Sequence, residues 1–194
     1  MKKRVIIIVV IALVAGLAFW LAGKYNAMVT AEENVTTAWS QVENQYQRRS
    51  DLIPNLVATV KGYAEHESSV FENVTEARAR ATQLTLSENA TPEQMMAFQQ
   101  AQGELTQALG RLLALAENYP DLKANENFRD LQAQLEGTEN RIAVARNAFN
   151  EAAKAYNILI RKFPNNIVAG IFGFGQKAYF EADEGADKVP VVEF

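Results

Sequence analysis

His66 is the only histidine in the chain, and it stands between Glu65 and Glu67. Imidazole and carboxylate are the parts of a zinc site or a general base. Neighbouring residues on a helix point about 100° apart, however, whereas ligands for one ion need i, i+4 spacing. The trio therefore reads as solvated surface, with Glu67 on an apolar phase where an arginine across the fold could meet it. Arg48, Arg49 and Asp51 form the second charged cluster. Read for function, they are an exposed anion or partner site at a helix junction; read for structure, they are a capped turn whose arginines meet nearby acids.

The remaining candidates are weaker still. Glu136 with Asn140, and Glu139 with Arg141 and Arg146, sit at spacings that intrahelical support explains. No Glu-x-x-His motif offers a di-iron site, and no Gly-x-Ser-x-Gly turn offers a nucleophile to accompany His66. Cysteine is absent, which removes disulfides, thiolate catalysis and Cys-ligated metals. The expectation is no catalytic, metal-binding or cofactor-binding residue. Setting aside Lys2, Lys3 and Arg4 leaves 16 of the 19 Lys and Arg against 23 Asp and Glu, a net charge of −7. An acidic domain without a basic aromatic patch does not suit nucleic acid.

The elements that must hold these side chains are helices. Phe128, Leu135, Ile142, Phe149, Tyr156 and Phe163 recur every seven residues between Asn125 and Phe163, flanked by Leu131, Ala145, Ala152 and Leu159. Such a stripe is satisfied only by facing other helices. Upstream, residues 5–22 run 18 positions without a charge behind Lys2, Lys3 and Arg4. At 1.5 Å per residue they reach roughly 27 Å, close to a hydrocarbon core. The run is longer than a signal-peptide core and ends on Phe19, Trp20 and Leu21 rather than a small-residue cleavage site. It reads as a retained single-pass anchor in contact with membrane lipid, its basic end cytoplasmic and the following domain outside.

From Tyr25 the helical period continues through Met28, Val35 and Val42, with Trp39 and Tyr46 beside them and Glu32 intruding on the stripe. Pro54 then poses a choice. Ser50 or Asp51 caps a new helix with Pro54 in its first turn, or one kinked helix keeps the register Val42, Arg49, Leu56, Tyr63, Val70, Ala77, Leu84. A continuous helix from Tyr25 to Leu84 would run about 90 Å, against roughly 42 Å for Pro92 to Tyr119 and roughly 58 Å for Asn125 to Phe163. Continuation would leave Val35, Trp39, Val42 and Tyr46 to pair with a second copy of the chain. The turn near Ser50 is therefore preferred, giving about four antiparallel helices.

Thr91-Pro92-Glu93 starts a helix, Pro120 ends it, and Asn125 caps the next. Gly103 and Gly110, seven apart, suggest close approach of a neighbour. The fold class is thus all-α: an anchor over residues 1–23, an up-and-down bundle over 24–166 and an irregular Gly/Phe-rich tail over 167–194. The tail reads as a segment wrapping back onto the core, or as a docking strip in which Phe172 and Phe174 meet a partner or the membrane surface.

Three stretches carry a family likeness: Arg48-Arg49-Ser50-Asp51-Leu52-Ile53-Pro54-Asn55-Leu56-Val57, residues 117–128 (ENYPDLKANENF) and residues 135–146 (LEGTENRIAVAR). Together with the anchor, Tyr156-Asn157 before Phe163-Pro164, and Pro190 to Phe194, they resemble the LemA family. The resemblance implies a bacterial single-pass membrane protein with a helical bundle and no assigned catalytic residues. By analogy it also implies a membrane protein partner such as a protease of the HtpX type. The functional expectation is a non-catalytic interaction or scaffold protein of the envelope, able to form homo-oligomers. A hydrolase or metal-dependent enzyme with an unrecognised site, or a sensor using the tail as a lid, stands as the alternative.

Overall fold

The computed structural model describes residues 2–181, and all regular structure among them is helical. Helix α1 spans Lys2–Lys61, α2 Ser68–Gln83 and α3 Pro92–Ala114; a 3-10 turn, Leu115–Asn118, leads to the short α4, Pro120–Ala124. Helix α5 is Glu126–Arg161 and α6 is Asn165–Phe172. Contacts between α1 and α5 run in opposite order, Tyr63 with Asn125, Arg49 with Glu139 and Trp39 with Phe149, so the two are antiparallel. Helices α2 and α3 form the other hairpin, completing an up-down-up-down bundle.

The heptad stripe of α5 is its buried face. Phe128, Leu135, Ile142, Phe149 and Tyr156 are all buried. The upper core joins Phe128 and Leu135 to Ile53, Leu56, Phe71, Val74, Leu105 and Leu112. The lower core joins Phe149 and Tyr156 to Met28, Val35, Trp39, Val42, Phe98 and Val168. Phe163 breaks the pattern at 81% exposure, because α5 ends two residues before it.

The chain does not turn near Ser50. Helix α1 passes through Pro54 and ends at Lys61, and the reason is local. Proline at 54 removes the N–H that would bond the Ser50 carbonyl four residues back. The Arg78 Nε–H of α2 donates to that carbonyl at 3.0 Å and to the Ser50 hydroxyl oxygen at 3.1 Å. A guanidinium thus replaces the missing backbone donor. Arg78→Ala should cost about 1.5–3 kcal/mol, the range for a hydrogen bond from a charged donor. In a Pro54→Ala background the loss should shrink, since residue 54 then supplies its own N–H. Urea titration of the parent, the two single variants and the double variant measures this, and an Arg78→Ala loss undiminished by Pro54→Ala refutes the account.

The true reversal, residues 62–67, also removes the sequence argument for a second copy. With α1 ending at Lys61, its part beyond residue 23 is about 57 Å long and α5 about 54 Å, so they match end to end. Val35, Trp39 and Val42 are covered within the chain by α5, α3 and residues 174–180. Helix α6 and that extended segment return along the lower half of α1, where they meet the α2–α3 connection and the start of α3. The first residues of the tail are therefore helical, whereas 174–181 wrap back onto the core. Residues 182–194, including the Pro190 to Phe194 stretch, lie outside the described residues.

Both capped starts appear where expected. The Gln94 N–H donates to the Thr91 hydroxyl oxygen at 3.3 Å while the Thr91 N–H donates to Gln94 Oε1 at 2.9 Å, a reciprocal capping box. Its own backbone N–H, together with the Thr91 hydroxyl, holds the Glu93 carboxyl below the usual range. Asn125 Oδ1 accepts from the Phe128 N–H at 2.9 Å, and its amide donates to the Tyr63 hydroxyl at 2.9 Å. The glycines of α3 do not mark a close approach. A Cβ at Gly103 or Gly110 would meet nothing within 4 Å. Each changed to alanine should gain about 0.5–1 kcal/mol by helix propensity, read as a rise in the thermal midpoint, and the double variant should add.

Candidate functional site: buried polar layers and a lateral groove

Two charged residues sit on the apolar stripe of α1, and each is neutralised from a distant part of the chain. Arg49 is 2% exposed. Its guanidinium donates to Glu139 Oε1 of α5 at 2.8 Å, to the Thr106 hydroxyl of α3 at 3.0 Å, and to Gln102 Oε1. It also stacks over Tyr46, 5.1 Å from the ring centre. Gln102 passes the chain of bonds on by donating to the Ala81 carbonyl at the end of α2. Arg49 and Gln102 together thus tie all four bundle helices in a single layer.

The second layer lies lower, around Lys177. This lysine is buried, and its ammonium donates to Glu32 Oε1 at 2.7 Å and to Asn89 Oδ1. It lies over the Tyr156 ring at 5.3 Å. Asn157 holds the backbone on both sides: its Oδ1 accepts from the Lys177 N–H, and its Nδ2 donates to the Lys177 carbonyl, each at 2.9 Å. An asparagine that mimics a strand partner clamps the extended segment onto α5. Asn150 repeats the device at Phe180, accepting its N–H and donating to its carbonyl, again at 2.9 Å.

Burial, and then the Glu32 carboxylate, push the Tyr156 hydroxyl from its ordinary 10.0 up to about 12. The folded chain keeps this proton longer than the unfolded chain does. Its contribution is therefore level below pH 10 and is lost as pH rises from 10 to about 12. Tyr156→Phe should flatten that part of an alkaline stability curve, which chemical denaturation at stepped pH records.

The expected contact residues do not converge. Arg49 points inward and is structural, so the exposed three-residue cluster does not exist. Asp51 is exposed and accepts from Gln47 Nε2 at 2.8 Å. Arg48 faces outward over a shallow cavity of about 320 Å³ with Asp130, Ala133, Gln134, Gly137 and Arg141. A neighbouring cavity of about 400 Å³ shares Arg141 and continues along Gln41, Asn44, Gln45, Asn140, Val144 and Ala148. The two adjoin at Arg141 as one shallow groove between α1 and α5, with Val144 exposed along it. Phe172 and Phe174 lie at the opposite, anchor-proximal end, their ring centres 4.9 and 5.6 Å from Tyr25.

His66 is exposed in the α1–α2 turn rather than on a helix, and Glu67 meets the Tyr119 hydroxyl at 3.4 Å rather than an arginine. Among the described residues no group of three or more acids or histidines is placed to hold a metal ion. Sequence reasoning missed Lys177. Its signal was the intrusion of Glu32 on an apolar stripe, which required a cation, and residues 163–180 supply one lysine and no acid.

An antiparallel bundle locked by two polar layers, continuous with a helix long and apolar enough to cross a membrane, defines a helical-bundle protein of the membrane-associated type. The chain belongs to the LemA family, whose model matches residues 38–194. It is similar to the magnetosome protein MamQ 2 of Paramagnetospirillum magneticum, 31% identical over 204 aligned positions that cover 96% of this chain and 74% of that one. The magnetosome protein MamQ of Magnetospirillum gryphiswaldense is 31% identical, with 87% and 68% covered. Protein LemA of Metamycoplasma hominis is 22% identical, with 86% and 73% covered. The three motifs that carried the resemblance now have structural roles. The first holds Arg49, Ser50 and Pro54, the second the Asn125 cap, and the third Glu139 together with Arg146, which donates to the Glu181 carbonyl at 2.9 Å.

Proposed function

We propose that the protein is a non-catalytic, single-pass interaction module of the bacterial envelope, with its N-terminus cytoplasmic and its bundle outside. The observation that carries this reading is the uninterrupted α1. It runs from the apolar stretch to the far end of the bundle, so the bundle is held at a fixed height and rotation rather than on a flexible tether. The groove between α1 and α5, with Arg48, Arg141 and exposed Val144, is the surface it presents to a membrane protein neighbour.

A photo-crosslinking residue at Val144, used in native membranes and followed by identification of the adduct, tests this. The expectation is one reproducible neighbour that is lost when Arg141 is changed to Glu. No reproducible adduct at Val144 or Arg48 would overturn the reading. Cleavage of the bundle by protease added to intact spheroplasts tests the orientation, and full protection would reverse it. His66→Ala addresses the enzyme alternative: full complementation by this variant removes the one general base that sequence reasoning could nominate.

A further inference from the structure

The last member of the α5 stripe, Phe163, is thrown outward as α5 ends, and α6 follows at once. Helix α6 buries Asn165, Val168 and Ala169 against the lower core, and its other side is bare. Phe163, Ile167 and Ile171, spaced four apart, are exposed at 81%, 53% and 69%, and α6 itself carries no charge. Scattered apolar side chains are ordinary on a surface, but an aligned and contiguous strip marks an interface.

Its position says which interface. Phe172 packs on Tyr25, and Leu21 of α1 packs on the same lower core that α6 covers. Helix α6 therefore sits at the level of Tyr25, where the apolar run of α1 gives way to polar residues. The charge there is reversed relative to the rest of the domain. Arg161 and Lys162 lead into Phe163, and no Asp or Glu occurs between residues 152 and 180, in a region whose net charge after residue 4 is −7. A short apolar helix preceded by two cations, Arg161 and Lys162, suits the boundary between acyl chains and anionic headgroups.

We infer that α6 with Phe163 is a membrane-surface foot, with Ile167 and Ile171 inserted among lipid headgroups of the bilayer that α1 crosses. This inference rests on the anchor reading, and the test separates the two. The chain has no cysteine, so single-cysteine variants of the full-length protein label cleanly. Ile171→Cys, Leu13→Cys and Val144→Cys, each carrying an environment-sensitive fluorophore, are reconstituted in phosphatidylethanolamine/phosphatidylglycerol vesicles containing spin-labelled lipid.

The expected result is quenching at position 171 by a shallow spin label, several-fold above that at 144, with position 13 quenched most by a deep label. Quenching at 13 with none at 171 overturns the foot and leaves the anchor standing. No quenching at 13 overturns both. A blue-shifted but unquenched fluorophore at 171 that depends on protein density assigns the strip to a second copy of the chain and overturns the lipid assignment. Ile171→Asp gives an independent reading in the same vesicles: a fluorophore at Ile167→Cys should lose most of its shallow quenching, and retention of that quenching overturns the foot.

Discussion

Arg49→Ala is expected to lower the unfolding free energy by about 3 kcal/mol, and Arg49→Lys should recover little of it. Breaking a buried ion pair by removing one partner costs about 3–5 kcal/mol, because the other charge stays desolvated. Here the Glu139 side chain is 35% exposed and is partly rehydrated, which places the loss at the lower end. The guanidinium also satisfies Thr106 and Gln102, in directions that a single ammonium of shorter reach cannot serve together. Arg49→Met combined with Glu139→Leu and Gln102→Leu should be closer to the parent than Arg49→Ala alone, since no charge is then left without its partner. Urea unfolding in detergent micelles, followed by tryptophan fluorescence, measures the set. If Arg49→Ala costs less than about 1 kcal/mol, the central layer does not hold the bundle in register in the way described.

The second large effect is expected at Trp39. Its indole is 3% exposed and stacks on Phe180 with ring centres 5.9 Å apart, meets Phe149 edge-on at 5.3 Å, and lies 6.2 Å from Phe98. Three separate elements, α3, α5 and the returning segment, therefore close on one side chain of α1. Trp39→Ala should cost about 3–5 kcal/mol. It should also loosen the segment around Phe180, whose ring loses its stacking partner. Hydrogen exchange distinguishes this from general loosening. The amides of Lys177 and Phe180 should lose protection first, while those around Leu56 and Leu112 keep theirs. Uniform loss of protection would contradict the picture of two cores that share only their long helices.

Much of the scaffold was legible because it depends on period and on local chemistry. Phe128 to Tyr156 gave the α5 stripe, and Thr91-Pro92 and Asn125 gave two helix starts that need no tertiary information. Pro54 was misread because the signal was local while the remedy was not. Nothing near position 54 announces that Arg78 will donate to the Ser50 carbonyl. The first helix ends at Lys61 rather than Leu84, so Val35, Trp39 and Val42 are covered without a second copy. Arg49 reads as part of an exposed charged cluster, yet it stands on the same phase as Val42 and Leu56. A cation on an apolar phase is a statement about a buried partner, and Glu32 made the same statement about Lys177. Neither partner is within a helical turn, so spacing alone could not supply them.

The unbroken α1 makes the molecule a lever as well as a prop. On the single-pass reading, the part beyond the anchor is a stiff arm about 57 Å long, and any tilt of the spanning segment is carried undiminished to its tip. A change of about 10° in the bilayer, well inside the range that spanning helices adopt, would sweep the far end sideways by about 10 Å. A change in the tilt of the spanning segment would then be converted into lateral displacement of the α1–α2 turn.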